Sequence, residues 1–218
     1  MTLRLAHRGD HRRLAENSLA ALVAGAGAPM SDGVEFDVRV AADGVPVVIH
    51  DETLDRVQGV PLVVAETPAA TLAAHGVPSL ADVLAAVPAG AFLDVELKVV
   101  PNPEVARVLI DARGPAPAHA VVSSFDPEAL AAIAAQAPRW ARWANVLWVD
   151  APLITLARDL GCRGLAAAHG GIDRRTAGLA RDAGLDLAGW TVIRRPTFER
   201  LAGLGVVAVC VEGSLLDR

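Results

Sequence analysis

Short apolar runs alternate with longer amphipathic segments along almost the whole chain, and this rhythm constrains the fold more than any other feature. Strand-like runs fall at residues 3–6, 34–40, 45–50, 92–97, 120–124, 142–149, 164–167, 187–192 and 206–211. Between them, helix-like segments occupy residues 16–26, 79–86, 103–111, the stretch opened by Asp126-Pro127, 152–160, 174–183 and 196–204. Strand–helix alternation of this kind builds an α/β domain, with a parallel sheet covered by helices. Two architectures satisfy it, a closed barrel and an open doubly wound sheet. The number of strand–helix steps favours a TIM-like (β/α)8 barrel, with one extra hairpin strand after the second strand. The chain has 218 residues, fewer than the roughly 250 of a typical barrel of this type, so its loops must be short. No linker or low-complexity stretch interrupts it, and residues 1–218 are expected to form a single domain. The least regular segment, residues 51–78, reads as a loop or short insertion over the mouth.

Local signals mark several boundaries. Ala42-Asp43-Gly44 is a turn between two strand-like runs, with Gly where a positive φ is cheap. Ser79 is placed to cap a helix that has Asp82 near its positive end. Asp126-Pro127 supplies a cap followed by Pro in the first turn.

Composition removes several functional classes. Hydrophobic residues make up 53% and charged residues 21%, which supports a packed core and argues against disorder. The net charge is −5, and the basic runs Arg12-Arg13, Arg174-Arg175 and Arg194-Arg195 are too short to form a nucleic-acid-binding stripe. Cys162 and Cys210 lie far apart in apolar surroundings, as buried reduced thiols do, and no Cys/His spacing resembles a zinc site. There is no integral membrane segment, and the first residues lack the charged lead and long apolar run of a signal peptide, so a cytoplasmic protein is expected. Oligomeric state leaves no readable signal.

The polar residues that interrupt strands carry the chemistry. Side chains two apart on a strand share a face, so Glu35 pairs with Asp37, and Asp94 with Glu96 and Lys98. In a barrel, residues at the C-terminal strand ends project into a common mouth. Several carboxylates converging in a partly dry site repel one another. A divalent cation resolves the conflict, and oxygen-only ligands indicate Mg2+ or Ca2+ over zinc. The alternative is an internal polar layer in which Lys98 neutralises the acids. His7, followed by Arg8-Gly9, ends the first strand, and His50 ends the hairpin strand. Two histidines can divide the roles of base and acid; either alone would read as a structural residue. Arg8 and Lys98 add fixed positive charge suited to a phosphodiester, although Arg8 is equally placed for a salt bridge to Glu35 or Asp37.

Taken together, Ala6-His7-Arg8-Gly9, Glu16-Asn17-Ser18, Val34-Glu35-Phe36-Asp37-Val38, Asp43-Gly44, Val47-Val48-Ile49-His50-Asp51 and Leu54-Asp55-Arg56 resemble the glycerophosphodiester phosphodiesterases. Val77-Pro78-Ser79-Leu80, Glu96-Leu97-Lys98, Ser123-Ser124-Phe125 and Gly189-Trp190-Thr191-Val192 extend the resemblance over nearly the whole chain. It implies a TIM-like barrel that hydrolyses a small-molecule glycerophosphodiester to an alcohol and sn-glycerol 3-phosphate. By position, Glu35, Asp37 and Glu96 would hold one divalent cation, and His7 and His50 would be the catalytic pair. Arg8 and Lys98 would bind phosphate, and Trp190 would wall the glycerol pocket. In the family's scheme the glycerol 2-hydroxyl attacks phosphorus, a cyclic phosphate forms, and water opens it.

Four positions depart from the family pattern. Ala15 stands where Pro is usual, Asp94 where Asn is frequent, Ile193 where Asn is common, and Glu212 where a Thr-Asp pair supplies a shorter acid. Of the remaining histidines, His11 and His169 read as possible mouth residues, and His75 and His119 as surface positions. Two other readings stay open. A lysophospholipase D on the same barrel would need an apolar rim, for which only the short segment 57–64 offers apolar residues. A non-catalytic metal-binding barrel would be indifferent to loss of His7 or His50.

Overall fold

The computed structural model describes residues 1–217. Eight parallel strands close into a barrel: β1 (Leu3–His7), β2 (Gly33–Val40), β4 (Phe92–Leu97), β5 (Ala120–Ser124), β6 (Ala141–Val146), β7 (Gly164–Ala168), β8 (Asp186–Val192) and β9 (Ala208–Val211). Each is hydrogen-bonded to the next, and β1 closes the ring by pairing with both β2 and β9. The additional strand β3 (Pro46–Val48) runs antiparallel to β2, as the turn at Ala42-Asp43-Gly44 requires. It is shorter than expected, because residues 49 and 50 leave the ladder and carry His50 toward the mouth.

Helices α1 (Leu19–Ala26), α4 (Leu80–Ala86), α5 (Pro103–Arg113), α6 (Pro127–Gln136), α7 (Ala151–Asp159), α8 (Arg174–Asp182) and α9 (Arg195–Gly203) cover the outside. Their starts are fixed by side chains that satisfy otherwise orphaned amides. Ser79 accepts from Asp82 N, Asn102 from Val105 N, Asp126 from Glu128 N and Asp150 from Leu153 N. Helix α1 begins later than the expected residue 16. Asn17 has φ +58°, a left-handed conformation that no helix contains, and Ser18 is the cap. Glu16 and Asn17 are thereby turned toward Arg8 and Asp37.

Outward strand residues such as Phe36, Val38 and Val95 are buried against helix residues Leu22, Leu80 and Leu109 in the main core. Inside the barrel, Leu5, Val121, Trp143, Ala166, Ala188 and Ala208 form a separate plug. The alanines leave room for Trp143, whose ring stacks on Phe92 at 6.0 Å. A packed plug of this kind closes the N-terminal end and leaves the C-terminal mouth for chemistry.

Residues 51–78 are ordered rather than a loose loop. They hold α2 (Asp55–Gln58), a 3-10 turn at Val64–Glu66 and α3 (Ala69–Ala74). Leu54, Val64, Leu72 and Val77 pack with Val47 and Ile49 in a third apolar cluster, joined by Val60 and Leu62. The apolar residues of segment 57–64 are therefore committed largely to this small core and do not form a rim.

Candidate active site

Strand register sets the site in two tiers. His7 lies level with Glu35, and Glu35 with Asp94. One step further along the same faces, Asp37 lies level with Glu96, and Glu96 with Ser123. These side chains reach a cavity of about 270 Å³ at the C-terminal end of the barrel. His7, Arg8, Glu35, His50, Glu96, Lys98 and Trp190 line it. Asp37 sits just behind the wall, 1% exposed.

Carboxyl groups dominate the floor. Glu35, Asp37 and Glu96 each offer an oxygen, and these atoms lie within 4.8 Å of one another. Glu35 Oε1 and Asp37 Oδ1 are buried without a hydrogen-bond partner. Lys98 answers part of the charge: its Nζ donates to Glu96 Oε1 at 2.5 Å and lies 3.4 Å from Asp37 Oδ1. The neutralising role weighed for Lys98 is thus real but incomplete. Glu35, Asp37, Asp94 and Glu96 outnumber Arg8 and Lys98. Burial, reinforced by Asp37, Glu96 and Asp94, pushes the Glu35 carboxyl well above the usual range. Burial and Asp37 raise Glu96 despite Lys98. Asp94 is pushed up to about 7 by burial, against the hydrogen bond from Ser123 Oγ at 2.7 Å. Converging, under-satisfied, oxygen-only donors fit a hard divalent cation.

Arg8 is tied down on two sides. Its Nη1 donates to Glu16 Oε1 at 2.7 Å, and Nε lies 3.2 Å from Asp37 Oδ2. Its own φ is +55°, and the following Gly9 has φ +82°. A Cβ on Gly9 would lie 2.4 Å from the Ala21 carbonyl group, so only glycine permits the turn that brings Arg8 to the cavity. Asn17, the other non-glycine residue with a positive φ among the described residues, donates from Nδ2 to Asp37 Oδ2 at 2.8 Å. Strained backbone at Arg8 and Asn17 is held in place by these contacts with the acidic floor.

Both histidines are anchored through Nδ1. His7 Nδ1 is 2.6 Å from Glu212 Oε1, and His50 Nδ1 is 2.7 Å from Asp51 Oδ1. Each ring is left with Nε2 for other partners; that of His7 lies 3.8 Å from Glu35 Oε2. Asp51 is in turn gripped by Arg56 Nε at 2.6 Å, and Arg56 Nη2 donates to Glu16 Oε1 at 2.6 Å. A chain of ion pairs therefore runs from His50 to Arg8 along one wall.

On the opposite wall, Trp190 Nε1 donates to the Ala166 carbonyl at 2.9 Å. The Trp190 ring meets Phe125 edge-on at 5.5 Å. Both line the cavity, with Asn145 and Thr191. His11 sits 3.7 Å from Glu212, outside the cavity lining. His169 lies in a 3-10 turn, also away from the lining, and His75 and His119 are exposed. Sequence reasoning gave no site role to Asn17, Phe125, Asn145 or Thr191. Only Asn17 carried a signal, as a residue tolerant of left-handed backbone just before a helix cap.

This geometry accompanies a match over residues 7–214 to the Glycerophosphoryl diester phosphodiesterase family. The chain belongs to that family. It is 51% identical over 55 residues to a glycerophosphodiester phosphodiesterase of Caldanaerobacter subterraneus, a stretch covering 25% of this chain and 22% of that relative's length. Among solved structures, it is similar to an Oleispira antarctica phosphodiesterase in complex with the product sn-glycerol-3-phosphate. That likeness has a TM-score of 0.82 and 25% identity, over 97% of this chain and 93% of the other. A glycerophosphodiester phosphodiesterase from Agrobacterium tumefaciens shares the fold, with a TM-score of 0.84 and 24% identity, over 99% and 98% of the two chains. The closed barrel expected from the strand count is thus the family's barrel. Among the described residues, no helix is long and apolar enough to cross a membrane.

Proposed function

We propose that residues 1–218 act as one glycerophosphodiester phosphodiesterase domain, cleaving the diester to an alcohol and sn-glycerol 3-phosphate. The observation that carries this reading is the meeting of under-satisfied carboxylate oxygens on Glu35 and Asp37 with two Nδ1-anchored histidines at one cavity.

Glu35, Asp37 and Glu96 would hold one divalent cation, Mg2+ or Ca2+. When bound, it supplies positive charge that lowers the pKa of a nearby hydroxyl and offsets charge developing on oxygen. The protein's own groups do the rest. Arg8 and Lys98 bind the phosphoryl oxygens, Lys98 as a point charge and Arg8 through whichever guanidinium hydrogens Glu16 and Asp37 leave free. Trp190 offers an apolar wall to the glycerol carbons.

The two histidines divide the proton transfers. An Nδ1–H held by a carboxylate fixes the neutral ring with its lone pair on Nε2. One ring accepts the proton of the glycerol 2-hydroxyl as that oxygen bonds to phosphorus. The other, protonated, gives its proton to the departing alcohol as the P–O bond breaks. The cyclic phosphate so formed is opened by water, with the proton movements reversed.

A product analysis under metal titration tests the reading. Chelated protein is expected to be inactive on glycerophosphocholine. Mg2+ or Ca2+ should restore release of choline and glycerol 3-phosphate, with a cyclic phosphate visible by phosphorus NMR at early times. Failure to cleave any member of a glycerophosphodiester panel with any divalent metal would overturn it, in favour of a non-catalytic barrel.

A further inference from the structure

Large hydrophobic residues are exposed on an arc of loops at the mouth. Val100, Phe125, Leu147, Trp148 and Ile193 are large hydrophobic residues exposed by 47%, 48%, 56%, 56% and 61%. They follow β4, β5, β6 and β8, and parallel strands place all these loops at the C-terminal end, around the cavity. The intervening loop after β7 carries Gly170-Gly171. A Cβ on Gly171 would lie 2.8 Å from the Leu147 carbonyl oxygen and 3.0 Å from Trp148 Cα, so bare backbone lets that loop pass against the Leu147-Trp148 segment. Continuity with the cavity comes through Phe125, which lines it and packs edge-on against Trp190. The facing wall is different, holding the Arg8, Glu16, Arg56, Asp51 and His50 network.

Scattered surface hydrophobes need no explanation, but an exposed apolar arc on the rim of a polar cavity marks a binding surface. Its charge argues against an anionic lipid surface as the occupant. Asp126 and Asp150 flank Phe125 and Trp148, Trp148 Nε1 donates to Asp150 Oδ2 at 3.0 Å, and the exposed Arg194-Arg195 pair after Ile193 only balances them, so these flanking residues leave no net positive charge. We propose that the arc binds a hydrocarbon chain carried by the substrate itself. The favoured substrates are then amphiphilic phosphodiesters, with the diester in the cavity and the chain over Phe125, Leu147 and Ile193. The inference rests on reading the cavity as a phosphodiester site.

Alkylphosphocholines from butyl to decyl, used as monomers, test it without turnover, because they lack a neighbouring hydroxyl to attack phosphorus. Full burial of a methylene is worth about fourfold in affinity; on a half-open rim we expect about twofold each, so about 60-fold from butyl to decyl. Calorimetry or tryptophan fluorescence reads this directly. The double variant Leu147→Ser, Ile193→Asn is expected to flatten the dependence. It should also abolish a preference for decanoyl-glycerophosphocholine over glycerophosphocholine, while keeping the rate on the latter. Affinity independent of chain length, or an unchanged slope in the variant, would overturn the proposal. So would binding to phosphatidylcholine vesicles that depends on the arc without any chain-length effect on monomers. If chain-length-dependent binding holds while no diester is cleaved, the arc stands and the hydrolytic reading falls.

Discussion

Glu212 Oε1 and His7 Nδ1 are 2.6 Å apart, though 205 residues separate them in sequence. The first and last strands are neighbours in the closed barrel, so the residue just past β9 reaches the residue that ends β1. The longer Glu arm, at a position where the family pattern has a shorter acid, reaches the His7 ring here. His11 and His7 beside it hold the Glu212 carboxyl well below the usual range, so it stays ionised and orients the imidazole. Glu212→Gln keeps an acceptor but removes the charge, and is expected to lower kcat by roughly 10- to 10³-fold. KM, cation affinity and Tm should change little. A loss confined to KM would mean that Glu212 acts on the substrate instead.

His7→Ala and His50→Ala are each expected to lower kcat by about 10²–10⁴. The double variant should fall short of the product of the two, because groups acting on one reaction coordinate are not additive. Circular dichroism should show intact folding, since both rings border the cavity and neither belongs to the packed core. Steady-state rates within threefold of the parent for either variant would remove that residue from the proton-transfer pair.

The barrel was legible because its strands are buried runs bounded by strong punctuation. Residues 92–97 and 120–124 are strands with the boundaries read from sequence. The shared faces within the carboxylate cluster were legible because period two puts Glu35 with Asp37 and Glu96 with Lys98. What could not be read is tertiary. Asn17 falls inside the helix expected from residue 16, yet its left-handed backbone and its bond to Asp37 are fixed by Arg8 and the floor of the site. The apolar rim escaped because each loop supplies only one or two of its members, brought to one end only once β4 to β8 stand side by side. Residues 57–64, the one apolar stretch visible locally, turned largely inward instead.

Removing the cation should have a cost visible without activity. Glu35 and Asp37 carry buried oxygens with no hydrogen-bond partner, and Glu35 is held far above its usual pKa chiefly by burial. A saturating cation at about 100 times its Kd is worth about 2.7 kcal/mol, or roughly 5–10 °C in Tm for a chain of this size. Scanning calorimetry with EDTA and then with Mg2+ or Ca2+ checks this. Glu35→Gln should abolish the increment yet leave the metal-free protein as stable as the parent, or more so, because the cost of burying an ionisable carboxyl is gone. A Glu35→Gln protein that still gains the full increment would place the cation elsewhere.

Arg56 links the ordered segment 51–78 to the site by pairing with Asp51 and Glu16. The Arg56 guanidinium lowers Asp51 to about 2. Burial works to raise Glu16, but Arg56 and Arg8 overcome it and bring that carboxyl to about 2 as well. Folded values below the unfolded ones, near 4, mean the pairs stabilise above about pH 4 and lose that contribution as pH falls through about 2. Arg56 is half exposed, so the contribution is discounted for solvent screening to about 1 kcal/mol. Arg56→Met should therefore unfold at lower urea concentration at pH 7, with the gap closing near pH 2. A gap constant from pH 7 to 2 would show that Arg56 acts through packing.

Asn17 combines conformation and hydrogen bonding, and two substitutions separate them. Its side chain gives Nδ2–H to Asp37 Oδ2 at 2.8 Å and accepts from Asp37 N at 3.3 Å, while its φ is +58°. Asn17→Gly loses both bonds but tolerates the backbone, and should cost about 1–3 kcal/mol for leaving buried polar groups unpaired. Asn17→Ala adds the penalty of left-handed backbone, about 1 kcal/mol more. Urea unfolding of the three proteins at fixed cation concentration gives the comparison. Both variants should also weaken cation binding, because Asp37 loses the contact that orients it. Equal stabilities for Gly and Ala would mean the backbone relaxes at residue 17. The strained turn that brings Glu16 and Arg8 together would then not depend on asparagine.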